Sequence, residues 1–401
     1  MSSPTSATHR PAESASALRV TLASPLHRGA TVAMFLSGLG FSAAAPQIAL
    51  FLVNDLHVSL ASAGLFYLTS LTAPVAGYLI GARSDRTGRR LGLFRWCAVA
   101  GFLGWLGIAG STQAWMPFVI SAIVLAFAGA AGSQLFAAVH DDLRADGTDR
   151  ADDVVSIVRM ALTAGWIVGP VAGAVLAAAV SPRAMLVATA LCTLAQIIPL
   201  GFLRDTTVPV HIGPEHVVRL RRMLPLLAFT GLYVLVYAGE PIKYAYLPIY
   251  LHDDLRLPAV VSGATIGIQP LVELLLMPVA VVVARRVGAM RLMVAGAASG
   301  VGANLCFALT GNVFGMFAGQ FLMGGVWGVF AALGIIVAQR LLPDAVATAS
   351  AIFLSSTAIA SALGGLTGGV GISVLGLPLV FLAPAAFGVI AAAGLAVMSR
   401  R

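Results

Sequence analysis

Four ionisable residues lie within otherwise apolar stretches of this 401-residue chain, and they are the side chains most able to exchange a proton or bind a polar ligand. Glu273 lies in I-Q-P-L-V-E-L-L-L-M-P, with no other charged residue within ten positions on either side. In a membrane-spanning helix such a group costs roughly 2.5–3.5 kcal/mol to insert, so it faces a cavity or a partner. Because burial disfavours a charged carboxylate, we predict that Glu273 exchanges a proton; the alternative is a structural carboxylate paired with a basic residue.

The other three ionisable residues are Arg159, Glu240 and Lys243, the last being the only lysine in the chain. Glu240 and Lys243 are three positions apart and share a helix face, where they either line a cavity or only neutralise each other. Pro241 between them predicts a bent or broken helix, which would expose backbone groups beside the two charges. Arg159 offers a planar fork of donors to a carboxylate or vicinal hydroxyl groups; alternatively, it extends to the membrane surface. Glu240 is a second candidate for proton coupling.

Uncharged polar and aromatic residues in the same stretches complete a predicted substrate-binding site. Carboxamides both donate and accept hydrogen bonds, which suits a hydroxyl-rich ligand, and aromatic faces could stack on a ligand ring. For each of these residues alone, a hydrogen bond or contact between helices is the simpler interpretation. The predicted binding residues are Gln47, Gln134, Arg159, Trp166, Glu240, Lys243, Tyr244, Gln269, Asn304, Gln320 and Trp327.

The composition shows which kind of protein must position these residues. Hydrophobic residues make up 59% of the chain and charged residues 10%, whereas soluble domains have about 45–50% and about 25%. The excess apolar surface predicts an integral membrane protein. A net charge of +8 could indicate nucleic-acid binding, but the basic residues lie in short gaps between apolar runs, which is a topology signal.

No enzyme or metal site is predicted from the motifs. The three cysteines are dispersed and form neither a disulfide framework nor a metal-binding spacing, and the chain has no zinc-protease or serine-hydrolase motif. We therefore expect a protein that is not an enzyme and needs no cofactor or metal.

Twelve apolar runs are long enough to cross a bilayer as helices, because about 20 residues span the ~30 Å hydrocarbon core and lipid leaves no partner for unpaired backbone groups. An all-α integral membrane protein with twelve transmembrane helices is therefore predicted. The predicted spans are 29–53, 59–80, 92–111, 115–138, 154–180, 183–203, 223–250, 258–284, 291–310, 314–338, 345–371 and 377–398.

The basic residues predict the orientation of these helices. If the N-terminus is cytoplasmic, 20 of the 24 arginine and lysine residues fall on the cytoplasmic side, and only Arg183 and Arg256 fall on the other. Such a bias is typical of cytoplasmic loops. We therefore predict that both termini are cytoplasmic.

The longest gap divides the spans into two halves of six. The predicted organisation is a disordered cytoplasmic tail at 1–28, an N-terminal half at 29–203, a central cytoplasmic loop at 204–222 and a C-terminal half at 223–398. The end of span 1, F-L-V-N-D-L-H-V, parallels the end of span 7, Y-L-H-D-D-L-R-L-P. The basic loop at 284–291 likewise occupies the place that 81–90 holds in the first half. These parallels indicate a duplication.

The loop between spans 2 and 3 reads G-A-R-S-D-R-T-G-R-R at 81–90. It resembles the loop signature of the major facilitator superfamily of transporters, whose members have two pseudo-symmetric six-helix halves. The resemblance implies that Asp85 caps or pairs with the start of a neighbouring helix near the closed cytoplasmic gate. Arg89 and Arg90 are expected to do little more than set orientation, and the glycines to permit tight turns. The motif residues are Gly81, Asp85, Arg86, Gly88 and Arg89.

Longer stretches are similar to the sugar efflux transporter family. They include G-L-F-Y-L-T, G-S-Q-L-F-A-A-V-H-D-D-L-R-A-D-G, R-M-A-L-T-A-G-W-I-V-G-P-V-A-G and Y-L-P-I-Y-L-H-D-D-L-R-L-P-A-V-V-S-G. This resemblance covers about 30–398 and implies a proton-linked exporter of sugars in the bacterial inner membrane, with a proton gradient as its energy source. It also implies that spans 1, 4, 5, 7, 8 and 10 surround the transport pathway.

Span 5 carries a motif of small residues that resembles the antiporter motif of drug and sugar exporters. It consists of Gly165, Gly169, Pro170 and Gly173, although Ala174 stands where the family form often has a second glycine. Small residues let a neighbouring helix approach closely, and a proline bends a helix. We predict that span 5 lines the interface at which the halves move; generic glycine-mediated packing is the alternative.

The sequence therefore predicts an exporter of sugars or sugar-like polar compounds in exchange for protons, working by alternating access. A multidrug/proton antiporter of the same fold and a transport-inactive membrane sensor are the alternatives. Its expected partners are a saccharide, protons and membrane lipids, with no nucleic acid, and it is expected to act as a monomer.

Overall fold

The structure is a computed structural model that describes residues 17–145, 151–203 and 220–400. Within those residues every regular element is a helix, and twelve helices are long and apolar enough to cross a membrane. The predicted all-α fold with twelve spans is confirmed. We label the spans α1 to α12 in chain order: Pro25–Asp55, Leu60–Thr87, Arg90–Ala109, Met116–Ala145, Asp153–Ala179, Pro182–Leu200, Arg221–Asp254, Ala259–Val287, Ala289–Leu309, Val313–Leu341, Thr348–Leu375 and Leu379–Met398.

Two predicted segments meet the limits of the described residues. Of the central loop predicted at 204–222, residues 204–219 lie outside them. Of the tail predicted at 1–28, residues 1–16 lie outside them, whereas a short helix covers Ala17–Ala23 and α1 begins at Pro25. The side chain of Ser24 accepts from the backbone N–H of His27 and so caps α1. The predicted disordered tail was therefore too long.

Span α7 is interrupted near its middle. One helix ends at Tyr237, a second runs over Gly239–Ile249, and a π-helical turn over Tyr250–Asp254 completes the span. Pro241 has no N–H to donate to the carbonyl four residues earlier, so the first helix stops at that carbonyl. The break lies where the sequence placed it and leaves Glu240 in the first turn of the second helix.

The ends of α1 and α7 have the same backbone conformation. Each finishes in a π-helical turn, Phe51–Asp55 in one and Tyr250–Asp254 in the other. Each is followed two residues later by a left-handed residue, His57 with φ 54° and Arg256 with φ 48°. The parallel seen between the two sequences thus extends to the backbone, as expected of duplicated halves.

The two halves pack against each other mainly at the end of the bundle that holds Asp55, which we call the closed end. Leu50, Ile249, Leu60 and Leu377 form an apolar contact there. Span α11 packs along the Leu60–Thr72 part of α2 but hardly touches the remainder of that helix. The halves therefore separate toward the other end, which carries the 81–90 loop and which we call the open end.

Candidate functional site

The interruption of α7 places a buried ion pair between α7 and α8. The Lys243 ammonium donates to both Glu240 carboxylate oxygens, at 2.9 Å to Oε1 and 2.7 Å to Oε2. It also donates to the side-chain oxygen of Gln269 on α8. Lys243 is only 1% exposed, and these three acceptors match the three donors of an ammonium group. In this conformation Lys243 has no donor left for a ligand.

A third helix completes this arrangement. The indole N–H of Trp327 on α10 donates to Glu240 Oε1 at 2.6 Å, and the Trp327 ring packs edge-on against Tyr237 with 5.1 Å between centroids. We call Glu240, Lys243, Gln269 and Trp327 the α7–α8–α10 cluster. The charges of Glu240 and Lys243 neutralise each other, so the α7–α8–α10 cluster is polar but carries no net charge.

Aromatic rings connect the α7–α8–α10 cluster to the N-terminal half. Lys243 lies over the Tyr244 ring at 4.4 Å from the centroid, and Tyr244 contacts Trp166 of α5 at 6.4 Å between centroids. Trp166 in turn contacts Phe41 of α1 at 5.6 Å. Because Trp166 and Tyr244 belong to different halves, their contact joins the two halves beside the Glu240–Lys243 ion pair. Flat aromatic faces next to polar groups suit a ring-shaped, hydroxyl-rich ligand.

Glu273 lies one helical turn beyond Gln269 on α8 and is the unpartnered carboxylate of this region. It is partly exposed and has no hydrogen bond or ion pair among the described residues. It interacts electrostatically with Glu240, Lys243 and Arg159. Arg159 on α5 is exposed and forms no ion pair within that part of the chain. The Glu273 carboxylate is therefore free to bind a ligand or a proton, and the Arg159 guanidinium is free to bind a ligand.

The other predicted carboxamides are buried but are not brought into one group. Gln47 lines a cavity of about 100 Å³ near the closed end, together with Asn54, His252 and Ser262. Asn304 donates to the carbonyl of Gly300 at 2.8 Å and lies near the α7 break. Gln134 and Asn304 each have a buried side-chain oxygen without a partner in the described residues, and neither polar atom of Gln320 has one.

The loop motif is organised around Arg90, a residue that sequence reasoning set aside. Arg90 begins α3 and donates to Asp85 at 2.7 Å, to Ser84 at 2.8 Å and to Asp141 at 3.1 Å. These contacts join the end of α2, the start of α3 and the end of α4. Asp85 does lie against the start of a neighbouring helix, but that helix is in its own half. The halves are apart at this end, so the expectation of a closed gate beside Asp85 is wrong. Orientation alone was the wrong role for Arg90.

The two glycines of the loop motif differ in their roles. Gly88 ends α2 with φ 64° and donates its N–H to the Ser84 carbonyl at 2.8 Å, which is the left-handed helix end that glycine favours. Gly81 lies inside the helix Ala73–Thr87, without a positive φ and with no neighbour within 4 Å of an added Cβ. The expectation of a tight turn at Gly81 is therefore wrong.

The span 5 glycines face α1 of their own half. A Cβ at Gly165 would lie 2.5 Å from the backbone of Phe35, and one at Gly173 would lie 2.5 Å from the backbone of Ala43. A Cβ at Gly169 would meet Ser42, whose hydroxyl donates to the Gly165 carbonyl at 3.1 Å. These glycines pack helices within one half and do not form the interface between halves.

The close contact of α5 with the other half is made instead by glycines of α8. A Cβ at Gly263 would lie 2.6 Å from Val171 Cα, and one at Gly267 would lie 2.8 Å from the Ile167 carbonyl oxygen. Sequence reasoning missed these two residues, although their four-residue spacing is a known signal for close helix approach. Span α5 does line the interface, with Pro170 and its neighbours, as predicted.

Comparisons with known proteins agree with this architecture. The sequence model of the Major Facilitator Superfamily matches residues 30–313. Sugar efflux transporter A of Dickeya chrysanthemi is 27% identical over 345 residues, which cover 84% of this chain and 87% of that protein. Sugar efflux transporter B of Salmonella typhimurium is 23% identical over 348 residues, with 84% and 87% covered.

Solved transporter structures share the fold. The nucleoside transporter NupG has a TM-score of 0.77 and 17% identity, with 94% of this chain and 99% of the other covered. An auto-inhibited peptide transporter of the POT family has a TM-score of 0.80 and 15% identity, with 94% and 97% covered. At such identities the likeness concerns the fold.

Proposed function

The chain belongs to the major facilitator superfamily, and from this premise we propose that it exports sugars or sugar-like polar compounds in exchange for protons, by alternating access. It is a multi-pass membrane protein with twelve spans. Two relatives covering 84% of the chain are named sugar efflux transporters, and these names support the substrate class proposed here.

One observation carries the proposal at the level of the site. The α7–α8–α10 cluster, which has no net charge, lies between the halves. Beside it lie two aromatic rings from opposite halves, Trp166 and Tyr244, and the unpartnered carboxylate of Glu273. The neutral Glu240–Lys243 pair presents no net charge, which favours an uncharged ligand over a lipophilic cation. The Trp166–Tyr244 pair offers an aromatic face on which a sugar ring can stack. Gln269 of the α7–α8–α10 cluster lies one helical turn from Glu273.

Proton coupling is assigned to Glu273. A coupling group must meet solvent in one conformation and respond to the substrate, and Glu273 is partly exposed and free of protein partners in the described region. Glu240 was the second candidate from the sequence. Because its oxygens already accept from Lys243 and Trp327, we assign it the role of holding the site together.

The asymmetric packing of the halves supports alternating access as the mechanism. The ligand enters through the open end, and the halves then close there and separate at the contact formed by Leu50, Ile249, Leu60 and Leu377. We place the open end in the cytoplasm of a bacterial cell and the protein in the inner membrane, because the basic residues concentrate at that end. The conformation described above is then the one in which an exporter binds its substrate from the cytoplasm.

Purified protein in proteoliposomes tests the proposal directly. An imposed pH gradient should drive uptake of a labelled mono- or disaccharide, and a proton ionophore should abolish that uptake. Transport of tetraphenylphosphonium with no saccharide transport would support the multidrug alternative instead. Saccharide binding without flux in the same vesicles would support the sensor alternative.

A further inference from the structure

The two basic loops at the open end are neutralised differently in the two halves. Gly88 and Gly288 mark corresponding positions: each follows the last residue of its helix, has a positive φ, and donates its N–H to a carbonyl four residues earlier. Counting back three residues from each glycine, Asp85 in the first half corresponds to Arg285 in the second. Of the two carboxylates that bind Arg90, Asp85 therefore has no acidic counterpart in the second half.

A pocket occupies the corresponding place in the second half. Its volume is about 390 Å³, and it is formed by the loop from Val287 to Arg291, by the end of α10 and by Ser399 at the end of α12. Arg291 and Arg340 are its charged lining residues, and no carboxylate lines it. Among the described residues, neither arginine side chain has a hydrogen bond or ion pair.

The start of α9 adds a second, independent attraction for an anion. Gly288 caps this 21-residue helix without any side-chain hydrogen bond, and the first backbone bond to it comes from Leu292. The N–H groups of the first turn are thus without helical partners, and they carry the positive end of the helix dipole. Two residues of that turn, Ala289 and Met290, line the same pocket.

We propose that this pocket binds the phosphate group of an anionic phospholipid. Arginine forks and free helix N–H groups are the donors that phosphate oxygens prefer. The pocket lies at the end of a membrane-spanning bundle, where lipid headgroups are present at high local concentration, and basic pockets between helix ends are known headgroup sites. The inference does not depend on what the protein transports.

Native mass spectrometry of the detergent-solubilised protein, titrated with phosphatidylglycerol or phosphatidylcholine, tests the site. The test variant is Arg291→Gln with Arg340→Gln. The matched control is Arg83→Gln with Arg221→Gln, which removes two exposed arginines from the same end but outside the pocket. We expect the test variant to bind phosphatidylglycerol about 25-fold more weakly, about fivefold per arginine, and the control to bind like the unmodified protein.

Three outcomes would overturn the proposal. Equal weakening in both double variants would show a diffuse attraction to positive charge rather than a site. Equal affinity for the two lipids in the unmodified protein would show that charge plays no part. Thermal stabilisation by inorganic phosphate, without any preference for phosphatidylglycerol, would assign the pocket to a soluble anion. Equal melting temperatures of both variants control for misfolding.

Discussion

Lys243 Nζ lies 2.7 Å from Glu240 Oε2 in a part of the protein where the two side chains are 1% and 9% exposed. Burying two charges is expensive, and a buried pair is often no more stabilising than apolar residues of the same size. Here the pair is supplemented by donors and acceptors from Gln269 and Trp327. It fixes the second part of the interrupted α7 against α8 and α10.

Removing one member of this pair should therefore be worse than removing both. Lys243→Met leaves the Glu240 carboxylate buried without its cation, and we expect a loss of about 3–5 kcal/mol. Adding Glu240→Gln to that variant should recover most of the loss. Denaturant unfolding of the single and double variants in detergent measures the coupling; strictly additive losses would show that the two charges do not stabilise each other.

Substitution of Glu273 should separate coupling from transport. Glu273→Gln retains the shape and removes the exchangeable proton, so uptake driven by a pH gradient should be lost while sugar exchange at equal pH continues. Because Glu273 has no protein partner among the described residues, the melting temperature of the Glu273→Gln variant should be close to that of the unmodified protein. A variant that still concentrates sugar in response to the gradient would exclude this residue as the proton carrier.

Arg90 should matter more than its neighbours in the same loop. It is 12% exposed and joins three helices through Asp85 and Asp141, so Arg90→Gln should lower the free energy of unfolding by about 2–3 kcal/mol. Arg83→Gln, at an exposed arginine with no side-chain partner in the described region, is the matched control. Thermal unfolding in detergent compares them, and equal melting temperatures would contradict the structural role.

The approach of α8 to α5 should control which end of the transporter is open. A Cβ at Gly263 would lie 2.6 Å from Val171 Cα and 2.7 Å from the Pro170 carbonyl oxygen, and overpacking of this kind costs about 1–3 kcal/mol. Gly263→Ala should therefore shift the equilibrium toward the conformation in which the closed end separates, by about 5- to 150-fold.

Thiol labelling of a cysteine introduced at Ile249, which is 3% exposed in the apolar contact of the closed end, measures this shift. Labelling by a reagent added on the side of the closed end should accelerate in the Gly263→Ala background. Gly231→Ala is the control, because an added Cβ there meets nothing within 4 Å. Unchanged labelling in both backgrounds would show that this glycine contact does not hold the closed end together.

The sequence determined the elements of this protein. Lipid imposes a strict rule on backbone polar groups, so long apolar runs are helices whatever surrounds them, and the twelve spans follow from hydropathy. Local rules likewise place the break in α7 near Pro241, because that residue lacks an N–H. The matching ends at His57 and Arg256 follow from similar short segments that fold in the same way.

Only the tertiary structure decided the partners. Trp327 lies 87 positions from the carboxylate it contacts, and nothing in either segment specifies that approach. Arg90 looked like an orientation signal until the end of α4 brought Asp141 to it, and the span 5 glycines turned out to face α1. Residue type restricts what a side chain can bind, but which side chains meet depends on how whole helices pack, because packing is a property of two surfaces and not of one segment.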